Sequence, residues 1–231
     1  MTNIETLTAV LFVGPSLAGH KTAELFPPHV QIRGPIQRGD MDALPQSTTD
    51  VLLVDGVFHS TLAVSAREVL AALRRGIHVY GSSSMGALRA AELGQFGMVG
   101  IGGVYDMYRS GLVNADAEVA LTYDSECYLP LSEPLVNIRY ALRCGCKKGL
   151  LNADLAGHIL QLASQFNYYE LNYCSLFQSL TDHLPSANWQ PWREFVLDDL
   201  QAVNLKSLDA IELARHYSAL VQKSRFPNLV H

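Results

Sequence analysis

The amino-acid sequence predicts an α/β fold: a parallel sheet flanked by helices in the N-terminal part, followed by an all-helical C-terminal part. Two observations predict it. Across residues 1–100, short apolar runs rich in β-branched residues alternate with runs of helical spacing, as in a parallel sheet that is covered on both faces. From residue 151 onward, every periodic stretch has helical spacing. We therefore expect an α/β domain over residues 1–125 and a helical domain over residues 126–231.

Four strands are predicted in the N-terminal part. Each is a short apolar run, and the first is stopped by a glycine–proline pair. Between the last two runs, apolar residues recur at helical spacing over 62–73, and Arg74, Arg75 and Gly76 are typical of the carboxyl end of a helix. The strands are expected over 8–17, 29–35, 50–56 and 76–81.

The middle of the chain contains three further predicted elements. Residues 102–111 read as a short helix that ends at a glycine, and residues 118–124 as a strand. A third element, a helix over 132–148, has Ser132 as its N-cap and Pro134 in its first turn. The C-terminal helices are expected over 153–166, 169–180, 191–202 and 206–222, with a loop over 185–191.

The composition argues against several classes of partner. The 231 residues carry a formal net charge of -5 and no lysine- or arginine-rich stripe, so no nucleic acid is expected. No apolar run approaches the length of a membrane span, so no membrane is expected. The start, "MTNIETLTAVLFVG", lacks a basic leader and a cleavage site, which favours a cytoplasmic protein. Neither the histidines nor the cysteines have the spacing of a metal site, so we expect no metal and no cofactor.

Polar and glycine-bearing stretches follow each of the predicted strands. Ligands of open parallel sheets bind at the carboxyl ends of the strands, where the helices begin. Because these stretches meet at one edge of the predicted sheet, we place the functional site there. They are "GPSL" (14–17), "GPIQRGD" (34–40), "VDGVF" (54–58) and "GSSSMGA" (81–87).

Three consecutive serines in the last of these stretches stand between a strand and a helix. The order strand, tight turn and helix resembles the G-x-S-x-G elbow, with its first glycine displaced to Gly81 and Ser84 at the turn. A cap of the following helix and a cradle for an anion are two other interpretations of the same residues. The spacing by itself does not decide among the three.

Six stretches follow one another in order over about residues 8–145: "GPSL", "RGD", "VDGVF", "REVLAALRRGIHVYGSSSMGALRAAELGQFGMVGIG", "EVA" and "LSEPLVNIRYAL". Together they resemble the TfuA-like family. Members of that family accompany YcaO enzymes, which activate an amide oxygen with ATP to make thioamides in peptide backbones, including those of ribosomally made natural products. The resemblance implies an accessory protein that releases sulfide from a thiocarboxylated, ThiS-like sulfur carrier and helps YcaO engage its peptide. It also implies a hydrolase-like site with a Ser–Lys pair.

The resemblance makes Ser84 the expected nucleophile. Its hydroxyl oxygen would attack the thiocarboxyl carbon, and sulfide would leave from the tetrahedral oxyanion. Backbone N–H groups of Met85 and Gly86 at the start of the helix would hold that oxyanion. The neighbouring loops would add N–H groups of Gly14, Ser16 and Gly56.

The sequence leaves several candidates for the general base, because the lysine that the resemblance implies corresponds here to Arg67. Arginine stays protonated in proteins and cannot accept the serine proton. Arg67 then acts as an electrostatic clamp, another base is used, or hydrolysis has been lost. The candidate substitutes are Lys21, otherwise a solvated helix lysine, and His59, otherwise a loop histidine. Asp55 would orient the base or cap the next helix.

A carrier of this kind ends in an extended Gly-Gly-like tail, so the resemblance implies a slot lined by glycine and positive charge. Arg38 is a candidate to hold the carboxyl terminus, or else pairs with Asp40 or with loop backbone. Arg89 would steer the anionic end of the carrier, or else form an ion pair with Glu92 three residues further on. The other expected substrate contacts are Phe58, Ser82 and Ser83.

Three alternative functions are compatible with these interpretations. The first is an accessory protein of thioamidation that hydrolyses the thiocarboxylated carrier. The second is a non-catalytic adaptor that bridges YcaO, peptide and carrier. The third is an α/β module that binds phosphate or a nucleotide, although the chain has neither G-x-x-x-x-G-K-[ST] nor G-x-G-x-x-G.

Overall fold

A computed structural model describes residues 8–58 and 62–225 of the chain. Internal contacts divide it into two compact units. The first comprises Met1–Leu112 and Leu208–His231, and the second comprises Val113–Ser207. The sequence predicts the boundary between the two domains at residue 125, whereas the internal contacts place it after Leu112. The chain also returns to the first unit at Leu208.

The first unit is built on a parallel sheet, which confirms the predicted fold class. The five described strands lie in the order β2-β1-β3-β4-β5, and all neighbouring strands run parallel. In this order the connections reverse direction between β1 and β3, which is where open α/β sheets bind ligands. The strands are β1 (Thr8–Phe12), β2 (Val30–Arg33), β3 (Thr48–Leu53), β4 (His78–Ser82) and β5 (Val99–Ile101).

Successive residues of a strand lie on opposite faces of the sheet. In β1, Val10 and Phe12 pack into the core on one face, whereas Ala9 and Leu11 pack into the core on the other. The residues on both faces of the strand are buried because helices cover both faces of the sheet. The strand β5 was not predicted, because it has only three residues and its central Gly100 weakens the apolar pattern.

Helices of the first unit cover the sheet from both sides. Residues of α2 and α3 contribute to one core, and residues of α9 from Ala210 onward contribute to the other. The helix expected over 62–73 begins at residue 66, because the Ser65 hydroxyl accepts the backbone N–H of Glu68 and the Glu68 carboxylate accepts that of Ser65. The helices are α1 (Thr22–Leu25), α2 (Ala66–Arg74), α3 (Met85–Leu93), α4 (Gly103–Arg109) and α9 (Leu205–Arg225).

Two expectations for the middle of the chain are wrong. Residues 118–124 do not form a strand, since only an isolated bridge joins Tyr123 to Pro130. The Asp124 carboxylate instead accepts backbone N–H groups from the following residues and closes a turn. Ser132 is not the cap of the next helix, because its hydroxyl accepts the backbone N–H of Thr122 at 2.8 Å and the helix begins after Pro134.

The second unit is helical around its own apolar core, as predicted for this part of the chain. Side-chain caps fix two of the helix starts, at Asn152 and Asn172. No described helix is both long enough and apolar enough to cross a bilayer. The helices are α5 (Leu135–Lys147), α6 (Ala153–Ala163), α7 (Tyr173–His183) and α8 (Gln190–Asp198).

Candidate functional site

The three consecutive serines at the end of β4 have three different environments. The Ser82 hydroxyl donates to the backbone oxygen of Asp209 at 2.9 Å. The Ser83 hydroxyl lies 2.8 Å from the Ser16 hydroxyl. Ser84 is the N-cap of α3 by position, yet its side chain forms no capping hydrogen bond with the helix. The serines therefore do not act as a set of interchangeable caps.

Close packing of α3 on the sheet makes the turn between β4 and α3 tight. The backbone N–H of Gly86 donates to Val54 at 3.2 Å, and a Cβ on Gly86 would lie 1.7 Å from the Leu53 oxygen. A Cβ on Gly81 would lie 2.1 Å from the Gly86 oxygen. The chain turns at Ser83 with a φ of 67°, the left-handed region that side chains disfavour.

A buried carboxylate ties the loops after β1 and β3 together. The Asp55 Oδ2 accepts the backbone N–H groups of Gly14 and Ser16, both at 2.9 Å. Its Oδ1 accepts the Ser16 hydroxyl at 2.6 Å. Since the Ser16 hydroxyl also contacts that of Ser83, an unbroken chain of hydrogen bonds runs from the turn of β4 to Asp55. This chain lies at the reversal point of the strand order.

All of these side chains are buried. Ser83 has no exposed surface, and Ser84 and Asp55 are each 2% exposed. A substrate could reach either hydroxyl only if the chain around the carboxyl edge of the sheet opened. Met85, the first residue of α3, also packs into the core beneath the turn.

Most of the predicted oxyanion donors already have acceptors. The N–H groups of Gly14 and Ser16 bind Asp55, and the N–H of Gly86 binds Val54. Gly56 allows close packing, since a Cβ there would lie 2.9 Å from the Met85 side chain. The N–H of Met85 is at the first position of α3, and N–H groups in the first turn of a helix have no acceptor within that helix.

None of the predicted bases with a described side chain is buried beside a serine. Lys21 is exposed and pairs with Glu24 at 3.1 Å. Arg67 is exposed at the start of α2. His59 lies outside the described residues.

The predicted substrate contacts are engaged within the protein. Asp40 accepts the backbone N–H of Gln37 at 2.7 Å. Arg89 donates to the Val64 oxygen and to the Glu92 carboxylate at 2.7 Å, so the ion pair considered from the sequence is present. Of the others, Ser82 and Ser83 make the hydrogen bonds described above, Arg38 is exposed, and Phe58 packs partly buried against the core.

Asp209 is a polar residue of this edge that the sequence did not single out. Its carboxylate accepts the backbone N–H groups of Gly103 and Val104, the first residues of α4, at 2.8 and 2.7 Å. It fits there because Gly102 has no side chain and a φ of 99°. Burial is the main cause that raises the pKa of Asp209 to about 7. Its helical spacing in α9 resembles that of any exposed helix carboxylate, so no local signal marked it.

We expect the stability of the first unit to fall as the pH rises through the pKa of Asp209. The carboxyl binds its proton more tightly when folded, at about 7 against an ordinary 3.8, so its contribution is complete below pH 4 and is lost as the pH rises through 7. The slope is about 1.4 kcal/mol per pH unit between the two values. Urea unfolding of the wild type and of Asp209→Asn at several pH values measures it. An Asp42→Asn variant, which changes an exposed carboxylate, is the control. A difference between wild type and Asp209→Asn that does not vary with pH would contradict the prediction.

The fold and the site together define an α/β protein with a parallel sheet, whose serine-bearing turn and buried aspartate occupy the edge that binds ligands in such sheets. A family model described as TfuA-like protein matches residues 55–171, half of the chain. The chain therefore belongs to the TfuA-like family, with an accessory role in YcaO-associated thioamidation and a YcaO enzyme as its partner. No curated protein matches the chain.

Proposed function

We propose that this protein hydrolyses a thiocarboxylated, ThiS-like sulfur carrier and so delivers sulfide to the YcaO enzyme, and that it helps YcaO engage its peptide. The observation that carries the proposal is the hydrogen-bonded chain Ser83–Ser16–Asp55 at the carboxyl edge of the sheet. A structural turn needs one cap, whereas this turn connects a strained serine through a second hydroxyl to a buried carboxylate. Membership of the TfuA-like family supports the connection to sulfur delivery.

The chemistry suits a serine hydroxyl at the start of a helix. A thiocarboxylate resembles a thioester in having sulfur as the leaving group on an acyl carbon. Attack by the hydroxyl gives a tetrahedral oxyanion next to the amino terminus of α3, where the helix dipole and the N–H of Met85 favour negative charge. Sulfide leaves, and water then hydrolyses the acyl-serine. Release beside YcaO would limit loss of sulfide to the solvent.

The test is sulfide release from a purified, thiocarboxylated carrier. The wild type should release sulfide over many turnovers, above the rate of the carrier alone. A variant without both hydroxyls, Ser83→Gly with Ser84→Ala, should fall to that background. Ser110→Ala is the matched control, because Ser110 bonds only to carbonyl groups of its own helix and should release sulfide like the wild type. A wild type that does no better than the carrier alone would overturn the proposal.

The adaptor is the second candidate, and the burial of the site favours it. Ser83 and Ser84 are closed to solvent, and Lys21 and Arg67 face it. In an adaptor, the buried hydrogen bonds would only hold the loops in shape. If the protein is an adaptor, the double variant at Ser83 and Ser84 should support thioamidation by YcaO at the wild-type rate. This should hold when sulfide is added to the reaction and also when the carrier is the only source of sulfur. Loss of activity only with the carrier would favour hydrolysis.

A further inference from the structure

We infer that Ser83, rather than Ser84, is the hydroxyl that attacks the carrier, and that Ser16 and Asp55 form the path for its proton. The inference rests on the proposed hydrolysis and assigns its residues. It depends on three features of the turn between β4 and α3: the direction of the hydrogen bonds, the backbone of Ser83 and the surroundings of Ser84.

The direction of the hydrogen bonds follows from proton counting. A hydroxyl carries one proton, and the Ser16 hydroxyl donates its proton to the Asp55 carboxylate at 2.6 Å. The bond of 2.8 Å between the two hydroxyls must therefore be donated by Ser83. The Ser83 proton points along the chain toward Asp55, which leaves the lone pairs of its oxygen to attack an acyl carbon. Because Ser83 has no exposed surface, the acyl carbon reaches that oxygen only when the carboxyl edge of the sheet opens.

The backbone of Ser83 carries strain that the turn alone does not require. The left-handed region is energetically costly for a residue other than glycine, and Ser83 has a φ of 67°. Glycine would adopt this conformation without that cost. The chain has glycine at the two neighbouring positions of close approach, Gly81 and Gly86, but keeps a hydroxyl at the strained position. In a strand–turn–helix elbow the nucleophile occupies the strained residue.

Ser84 has neither feature. Its φ is -115°, and its side chain makes no capping bond with α3. Its backbone is used in the turn, since its N–H donates to Ser82 and its oxygen accepts the N–H of Leu88. Ser84 thus builds the first turn of the helix, while Ser83 carries the polarised hydroxyl.

The reaction balances with these groups alone. The Ser83 oxygen bonds to the thiocarboxyl carbon as its proton passes to the Ser16 oxygen and the Ser16 proton passes to Asp55. The carbon–sulfur bond then breaks, the proton returns through Ser16 to sulfur, and the products are an ester on Ser83 and hydrosulfide. Water attacks the ester, its proton restores the Ser83 hydroxyl, and the carrier leaves as a carboxylate with release of one proton. No electron transfer is involved.

The first experiment maps the acyl-enzyme. Wild type is mixed with thiocarboxylated carrier, quenched in acid during turnover and digested, and the acylated serine is located by fragmentation in a mass spectrometer. We expect the adduct on Ser83, and we expect Ser84→Ala to form it as well. Ser83→Gly suits the left-handed backbone and should keep the thermal transition of the wild type, yet form no adduct and release no sulfide above background.

The second experiment reverses the proton path while keeping its shape. In Asp55→Asn, the amide oxygen can still accept the N–H groups of Gly14 and Ser16, but the NH₂ group now donates to the Ser16 hydroxyl. Ser16 must then donate to Ser83, so the Ser83 proton has no acceptor. We expect kcat to fall about 100-fold, the range of general base catalysis, with little change in KM. Ser16→Ala should give the same division between kcat and KM.

The outcomes separate this inference from the function beneath it. Release by the wild type with an adduct on Ser84, or full release by Ser83→Gly, overturns the assignment and leaves hydrolysis standing. Release by Asp55→Asn at the rate of the wild type overturns the proton path. No release by the wild type overturns the proposed hydrolysis and the inference together.

Discussion

Replacing Gly86 with alanine is expected to abolish the packing of α3 on the sheet. The new Cβ would lie 1.7 Å from the backbone oxygen of Leu53 and 2.6 Å from its carbonyl carbon. Both are backbone atoms of a central strand, so no side chain can rotate away to relieve the overlap. Shifting α3 would also break the bond from the Gly86 N–H to Val54. We expect a loss of more than about 4 kcal/mol in the free energy of unfolding, at the extreme of single substitutions.

Gly94→Ala is the matched control for this prediction. Gly94 follows α3 with a φ of -56°, and a Cβ there would meet only the Tyr105 hydroxyl at 4.0 Å. Alanine fits that conformation, so the free energy of unfolding should stay within about 1 kcal/mol of the wild type or rise. Urea unfolding followed by circular dichroism compares the variants. If Gly86→Ala were as stable as Gly94→Ala, α3 would not pack as closely as the structure shows.

Local periodicity was enough to predict the sheet. Buried parallel strands are apolar on both faces, and four of them stand out as apolar runs that end at glycine or polar residues. The strand β5 and the return of the chain at Leu208 were not predicted. Both depend on contacts between distant parts of the sequence, which leave no periodic signal of their own.

The sequence predicted where the serine turn lies, but not the environment of each serine. The spacing of "GSSSMGA" places a serine turn between a strand and a helix, and the order of the strands places Asp55 and Ser16 at the same edge. Which serine occupies the strained position depends on the approach of α3 to Leu53, and the partner of each hydroxyl depends on loops far apart in sequence. Spacing alone cannot tell which serine has a positive φ and contacts the Ser16 hydroxyl; in the structure both features belong to Ser83.

The predicted strand over 118–124 shows how local turn chemistry overrides propensity. Its valine, leucine, threonine and tyrosine favour a strand. Asp124, however, accepts the N–H groups of Glu126 and Cys127 and closes a turn. Ser132 accepts the N–H of Thr122 and fixes the other side of the loop. Side-chain hydrogen bonds of this kind compete with a backbone ladder, and a pattern of apolar residues does not reveal them.

In the helical unit, Trp192→Ala is expected to cost about 3–5 kcal/mol in the free energy of unfolding, as for other large aromatic side chains removed from a core. Trp192 has no exposed surface, its Nε1 donates to Ala141 at 3.0 Å, and its ring meets that of Phe177 edge-on. Gly145 leaves room for the ring, since a Cβ there would lie 2.5 Å from Trp192 Cδ1. A cavity bounded by helices held in place by their other contacts cannot close completely, so the lost contacts are not recovered.

Two further variants identify the source of the loss. Trp192→Phe keeps an aromatic ring but removes the bond to Ala141, so it should cost about 1 kcal/mol for that bond together with part of the lost ring volume. Leu197→Ala, on the same helix, truncates a side chain that is 45% exposed and should cost less than about 1 kcal/mol. Urea unfolding followed by circular dichroism at 222 nm, the helical signal, ranks all three variants. If Trp192→Ala cost no more than Leu197→Ala, the tryptophan would not fill the centre of this core, and the close approach of Gly145 to its ring would need another explanation.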